Sequence, residues 1–266
     1  MTGLLVAAGS YATAQSESTF ALSRTIRADI VDFTVDNLGN IYVVSKDNQL
    51  KKLSADGDSL AVYNAVSRYG NVYFIDVTNP LKILIYYREF STIVAVDRFF
   101  NIINTIDLRS LNIFQVKAIA LAYDNNIWLF DELDAKLKRI GDDGSLIDQT
   151  TDFRQLFDTV PDPSVIVDQG GLVYLYDSTH GVYAFDHYGS LKNHIQLKGW
   201  QDFTVIDKFI MGREGNTFFK YQLGTLNLES LPMNPAYVGA SKIKITPAAI
   251  YVLKKNSLEI YSRPGR

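Results

Sequence analysis

The sequence Asp36-Asn37-Leu38-Gly39-Asn40-Ile41-Tyr42-Val43-Val44 contains the pattern that decides the fold. Its first five residues are typical of a tight turn, because Asn and Gly tolerate the left-handed backbone that such turns need. The β-branched and aromatic run that follows predicts a buried strand. A second strand at residues 49–53 and a turn at Asp56-Gly57 come next. Together these segments predict a unit of short antiparallel strands.

This unit recurs along the whole chain. Its first apolar strand begins at Ile41, Leu84, Ile127, Val173, Phe209 and Ile250, at steps of 43, 43, 46, 36 and 41 residues. The strand and turn that follow it recur with the same period. A period near 40 residues built from short strands is the signature of a β-propeller, with one four-stranded sheet per blade. The sequence therefore predicts an all-β fold: a single six-bladed β-propeller of four-stranded antiparallel blades over residues 20–266.

The last blade lacks a fourth strand, because the sequence after its third strand runs out at Arg266. Residues 20–26 precede the first blade and belong to no blade of their own. We expect this N-terminal strand to pair with the last blade. Such pairing closes the ring and removes an exposed sheet edge.

The motif Asp36-x-x-Gly39-Asn40-Ile41-Tyr42-Val43 resembles the core of NHL-type and related bacterial six-bladed propeller repeats. Parts of it return in blades three and four, at residues 124–128 and 168–174. The resemblance implies the propeller architecture. Families with this fold include enzymes, lipid or peptide binders and scaffolds, so the resemblance leaves the function open.

Composition narrows the classes of function. The chain has 266 residues, of which 47% are apolar, which is enough for one large core. A formal net charge of −3 provides no general attraction to nucleic acid, and no apolar run is long enough to span a membrane. Cysteine is absent, which excludes disulfides, thiol catalysis and cysteine-ligated metals. We expect no cofactor.

Residues 1–14 differ from the rest of the chain. An apolar patch at residues 4–8 is followed by Ala12-Thr13-Ala14, which is typical of a signal-peptide cleavage site. We expect a truncated signal peptide at residues 1–14, whose basic N-terminal region lies upstream of the assigned start. The alternative is an N-terminus with no targeting meaning. The pattern predicts a periplasmic or secreted protein.

The histidines form a cluster in sequence but not in the predicted blade. His180 and His187 fall in turns at opposite ends of blade four, and His194 falls within its outer strand. Zinc needs ligands that converge within ~2.0–2.3 Å of one point, so no shared metal site is expected.

Three aspartates recur before the first turn of a blade, which predicts a structural task. We expect Asp36, Asp124 and Asp168 to accept hydrogen bonds from the amides of their own turns. Catalytic residues should depart from the repeat, and these follow it. The sequence therefore predicts no catalytic residues and no metal ligands.

Apolar residues replace the expected polar turns in blade two and in the long loop at residues 152–163, where they have helical spacing. One interpretation is local burial against the propeller. The other is a docking surface, since aromatic residues and Arg are enriched at interfaces. The predicted partner-binding residues are Phe153, Leu156, Phe157, Val160, Tyr87, Phe90, Phe99 and Phe100.

These observations predict a non-enzymatic, exported scaffold that binds a protein partner, as an accessory subunit of an outer-membrane secretion or assembly complex. Two alternatives stay open. One is a metal-dependent hydrolase or lactonase with its site at the mouth of the propeller channel. The other is a binder of a small sugar or peptide in that channel.

Overall fold

The computed structural model describes residues 20–263, so the predicted signal peptide at residues 1–14 lies outside the described part of the chain. The described residues form a six-bladed β-propeller in which every blade is a four-stranded antiparallel sheet. Strand β1 spans Ala21–Arg27. The other strands, blade by blade, are β2–β5 (Ile30–Val35, Ile41–Ser45, Leu50–Leu53, Ser59–Tyr63), β6–β9 (Phe74–Asn79, Lys82–Tyr87, Thr92–Val96, Ile102–Asp107), β10–β13 (Val116–Leu121, Ile127–Asp131, Lys136–Ile140, Leu146–Gln149), β14–β17 (Val165–Gln169, Leu172–Asp177, Gly181–Asp186, Leu191–Ile195), β18–β21 (Gln201–Ile206, Phe209–Glu214, Thr217–Gln222, Asn227–Pro232) and β22–β24 (Lys242–Ile245, Ala249–Lys254, Ser257–Ser262).

Helical structure in residues 20–263 is confined to short segments in the connections between blades. These are α1 (Val66–Tyr69), α2 (Phe153–Leu156) and 3-10 helices at Leu108–Leu111 and Pro235–Tyr237. Within the described residues, no helix has the length and apolar character needed to cross a membrane.

The predicted ring closure is confirmed, because β1 pairs with β24 as the outer strand of the last blade. Their antiparallel register runs from Ala21 opposite Ser262 to Arg27 opposite Ser257, with an irregularity between Leu22 and Arg24. The side chains of β1 are mostly exposed, and only Ile26 is half-buried. Backbone pairing therefore contributes more to closure than apolar burial does.

The core lies between neighbouring blades, where the middle strands of blades one to four bury most of both faces. Every residue of β7 and β8 is buried, for example, from Lys82 to Tyr87 and from Thr92 to Val96. This double burial explains why second strands such as β7, β11 and β15 are nearly continuous apolar runs instead of alternating ones. The predicted alignment of the repeat is wrong by one residue in two blades. The residue that pairs like Ile41 is Ile83 instead of Leu84 in blade two, and Ile210 instead of Phe209 in blade five.

Chain direction gives the disc two faces. The lower face consists of the turns between the first and second strands, and between the third and fourth strands, of each blade. The upper face consists of the turns between the second and third strands together with the connections between blades. The first strands, β2, β6, β10, β14, β18 and β22, surround the central channel.

Candidate functional sites

The predicted helical stripe in the loop at residues 152–163 is wrong beyond Leu156. Helix α2 ends there, and Phe157 has extended backbone. Val160 directly precedes a proline, which disfavours helical backbone. Phe153 is fully buried and stacks on Phe185 with ring centroids 5.2 Å apart. Phe157 and Val160 are half-buried against the same core, so among these four predicted residues only Leu156 is well exposed, at 45%.

The predicted aromatic residues of blade two do not share one surface either. Tyr87 and Phe100 are buried, and the ring of Phe100 packs near Tyr42 of blade one. Phe90 and Phe99 are exposed, but Phe90 lies on the upper face and Phe99 on the lower face. The predicted set therefore divides between the core and both faces of the disc.

Phe100 occupies a backbone position that other blades give to glycine. Its φ is +67°, and the equivalent turn residues Gly57, Gly144 and Gly189 have φ between +79° and +83°. Left-handed backbone costs a non-glycine residue about 1–2 kcal/mol. Burial of the Phe100 ring between blades one and two offsets this cost. The missing glycine therefore accompanies packing of the Phe100 ring in the core.

The lower face presents the most exposed apolar side chains of the described chain. Large hydrophobic residues elsewhere in residues 20–263 expose at most 55% of their surface, whereas these expose 60–83%. They come from the turns of five neighbouring blades. The residues are Leu38, Leu81, Phe99, Tyr123, Tyr188 and Leu226.

The same turns are acidic. Their exposed basic residues are Arg98 and Lys208, and their exposed aspartates are Asp56, Asp58, Asp124, Asp142, Asp143 and Asp207. The upper face lacks this imbalance. Its exposed basic residues are Lys46, Arg68, Arg88, Arg109, Arg154, Lys198 and Lys255, and its exposed acidic residues are Asp29, Asp47, Glu89, Asp134, Asp158 and Asp162.

A network of contacts between blades three and four connects residues of the lower face. The exposed Tyr123 ring stacks on His187 with centroids 3.9 Å apart and planes 6° from parallel. The Asp168 carboxylate lies 2.9 Å from His187 Nε2 and accepts hydrogen bonds from the Tyr123 amide at 3.0 Å and from Trp128 Nε1 at 2.9 Å. Tyr188, the most exposed of these apolar residues, directly follows His187.

The expected turn-capping role is confirmed for two of the three aspartates. Asp36 Oδ1 accepts from the amides of Leu38 and Asn40 at 3.0 and 2.8 Å, and Asp124 Oδ1 accepts from the Asn126 amide at 3.2 Å. For Asp168 the prediction is wrong, since its partners lie in the neighbouring blade and in another turn. Its role could not be read from the local repeat, because Trp128 lies 40 residues away.

The histidines are separated less completely than predicted. His187 lies on the lower face, as expected, but His194 Nε2 is 2.9 Å from the carbonyl oxygen of His180. Both line a cleft of about 300 Å³ on the upper face, beside Phe157. His180 Nδ1 lies 2.7 Å from the buried carboxylate of Asp177. Within residues 20–263, no group of three or more His, Asp or Glu side chains is arranged to hold a metal ion.

The central channel is a second candidate site, with a volume of about 680 Å³. Much of its wall is apolar, as is typical of small-ligand pockets. Its charged residues are Asp32, Asp36, Asp76, Asp168, Asp202, Lys242 and Lys244. Lys242 Nζ lies 2.6 Å from Asp32 Oδ1, joining the last blade to the first.

Burial raises the pKa of the Asp202 carboxyl, although Arg213 pairs with it and acts in the opposite direction. Burial also raises the pKa of the Tyr42 phenol, and Asp36 adds to that effect. The Tyr42 hydroxyl donates to Asp36 Oδ2 at 3.1 Å and Arg213 pairs with Asp202, so both channel carboxylates are tied to residues behind the wall.

No family model matches the chain, and no curated protein sequence is significantly similar to it. Solved propellers are similar in fold. A virginiamycin B lyase from Staphylococcus aureus is 12% identical with a TM-score of 0.64, covering 92% of this chain and 99% of that one. A streptogramin B lyase is 15% identical with a TM-score of 0.62, covering 88% and 79%. The Pan2 WD40 domain of Neurospora crassa is 9% identical with a TM-score of 0.66, covering 93% and 96%.

These identities show the fold alone. The similar structures include both lyases and a WD40 domain, and one fold commonly carries unrelated functions. The function must therefore be inferred from this chain's own surfaces.

Proposed function

We propose that this propeller is a non-enzymatic scaffold whose lower face binds a protein partner. The observation that carries the proposal is that the six most exposed large apolar residues of the described chain all lie on this face. Exposed apolar side chains gathered on one face are a feature of interaction sites. Tyrosines such as Tyr123 and Tyr188 belong to the residue types that most often dominate binding energy, and phenylalanines such as Phe99 are enriched at interfaces.

The charge of the lower face indicates the chemistry of the partner. Six exposed aspartates and two exposed basic residues lie in the turns that carry the apolar side chains. Asp56, Asp124 and Asp142 are paired with Arg24, Arg139 and Lys82, whereas Asp58, Asp143 and Asp207 have no ion-pair partner within residues 20–263. Complementary potentials guide association and determine specificity. The partner should therefore present an apolar centre with Lys and Arg at its rim.

The finer proposal is an exported accessory subunit of an outer-membrane secretion or assembly complex. Export rests on the signal-peptide pattern of residues 1–14. The membrane-complex part rests on analogy with accessory propellers. Cell fractionation of the native source tests the first part, with periplasmic protein processed before Gln15 as the expected result.

A matched pair of variants tests the binding face. F99A/Y188A removes rings of the lower face, and F90A/F114A removes exposed rings of the upper face. Single exposed substitutions should change stability by no more than about 0.5 kcal/mol. Each full-length variant is used to capture partners from the native source, and the partner retained by the wild type is purified and titrated.

Loss of a hot-spot ring should weaken binding by about 30-fold or more. We expect this loss for F99A/Y188A only, with wild-type affinity decreasing as salt increases. Loss confined to F90A/F114A would overturn the lower-face proposal. It would favour a docking surface on the upper face, where Phe90 and Leu156 are the well-exposed members of the set predicted from the sequence.

The rival function, a metal-dependent hydrolase, has its own test. A metal held by the native state stabilises it by mass action. Millimolar Ca²⁺ should therefore raise the melting temperature of a metal-dependent propeller, and a chelator should lower it. The scaffold proposal predicts no shift in either direction.

A further inference from the structure

Lys244 places an ammonium group in the wall of the central channel with little to neutralise it. Its Nζ donates a hydrogen bond to Thr34 Oγ1 at 3.2 Å. An ammonium group has three N–H donors, so this contact leaves two unused. Among residues 20–263, no carboxylate lies within 4.0 Å of Lys244 Nζ.

The neighbouring charges are occupied elsewhere. Lys242, on the same strand, is paired with Asp32. Asp76 Oδ1 accepts from the Thr78 amide at 2.7 Å, and its Oδ2 accepts from the Leu121 amide at 2.9 Å. Of the two lysines in the described channel wall, Lys244 is therefore the one without an ion-pair partner, whereas the nearby Asp76 carboxylate is already hydrogen-bonded to two backbone amides.

The electrostatic environment agrees with an incomplete site. Burial and the adjacent Lys242 lower the pKa of Lys244 to about 8, while Asp76 and Asp32 act in the opposite direction. Lys244 is still mostly protonated at neutral pH, in surroundings that disfavour its charge. An anion bound beside Nζ would remove this cost, since an opposite charge favours the charged form.

The size and lining of the channel indicate that the anion has an apolar part. Its volume of about 680 Å³ lies within the range of small-molecule pockets. Lys244 belongs to blade six, and blade three lies opposite it in the ring. Blade four contributes partly exposed apolar wall at Val165 and Val167, and blade three contributes Ala120 and Leu121, whose side chains are largely buried.

We propose that the central channel binds a small organic monoanion, a carboxylate attached to an apolar body, and that Lys244 holds the carboxylate. The Nζ donors not used by Thr34 would bind the anion, and the wall of blades three and four would pack on its apolar part. This site is independent of the lower face. A propeller that fails to bind a protein there could still bind this ligand.

Calorimetric titration of the full chain tests the proposal with three probes: 4-phenylbutyrate, the neutral 4-phenylbutyramide and inorganic phosphate. We expect 4-phenylbutyrate to bind about tenfold or more tightly than the amide, because hydrogen bonds to charged groups are the strong ones. Phosphate, which has no apolar body, should bind more weakly than 4-phenylbutyrate.

Variants then test whether Lys244 is the group that binds the carboxylate. K244M should lose the preference for the carboxylate, and K244R should retain it. K255M, which removes an exposed lysine from the turn between β23 and β24, should bind like the wild type. Equal binding of acid and amide, unchanged binding in K244M, phosphate as the tightest probe, or no binding at millimolar concentration would each overturn the proposal. The three probes measured on the wild type test the proposal even if K244M fails to fold.

Discussion

Truncation of Phe153 to alanine should destabilise the propeller severely. Its ring is fully buried and lies 5.6 Å from Phe130, 5.3 Å from Phe157 and 5.2 Å from Phe185. A buried Phe→Ala change costs about 3–5 kcal/mol, and aromatic pairs contribute about 0.5–1.5 kcal/mol each beyond burial. We therefore expect the upper half of that range.

The same loop provides its own graded controls. Phe157 is half-buried against Phe153 and Tyr183, so F157A should cost about 1–3 kcal/mol. Leu156 is 45% exposed, so L156A should stay within about 0.5 kcal/mol of the wild type. The predicted order of destabilisation is F153A, then F157A, then L156A.

Urea unfolding of the three variants measures this order. The midpoint should fall while the dependence on denaturant stays constant, which indicates changed stability and an unchanged unfolded state. At about 4 kcal/mol, the melting temperature of F153A should fall by roughly 8–16 °C. A cost for L156A equal to that for F153A would refute the packing described for α2.

Three further changes follow from the same structure. Deleting residues 1–28 removes β1 and leaves the last blade with an open edge. Because propeller blades are stabilised by their neighbours, this deletion should lower the urea midpoint of the whole ring. An unchanged midpoint would contradict closure by β1. F100G should be more stable than F100A by about 1 kcal/mol in the same assay, since only glycine adopts the left-handed backbone without cost. The reverse order would show that the backbone at position 100 is not strained. Because burial lowers the pKa of Lys244 to about 8 in the folded state, folding disfavours its cation, so wild-type stability should rise as pH increases from 8 to 10. K244M should accordingly have a higher free energy of unfolding than the wild type at pH 7, and this difference should shrink by pH 10. A difference that stays constant with pH would contradict the prediction.

The blade count and the closure were predictable because the repeat acts locally. The second strands of blades one to four are buried on both faces, so their apolar runs are visible in the sequence. Turns such as residues 36–40 need glycine and asparagine at fixed positions. Residues 20–26 belong to no blade of their own, and pairing them with the last blade is the arrangement that leaves no unpaired sheet edge.

The candidate sites were less predictable, because they depend on contacts between blades. Phe100 resembles an exposed turn residue until blade one is placed beside it. Asp168 resembles Asp36 in the repeat, yet its carboxylate bonds to blade three. Only the channel left a readable signal, since Lys242 and Lys244 alternate with isoleucine in a first strand where other blades have fewer charges.

Hydrogen exchange of the purified partner complex against the free propeller tests the central claim most directly. If the lower face is the binding surface, backbone amides of residues 97–101, 122–126 and 187–190 should exchange more slowly in the complex. Amides of the upper-face loops at residues 108–115 and 152–163 should exchange at their free rates. Slower exchange confined to those upper-face loops would contradict the assignment of the lower face.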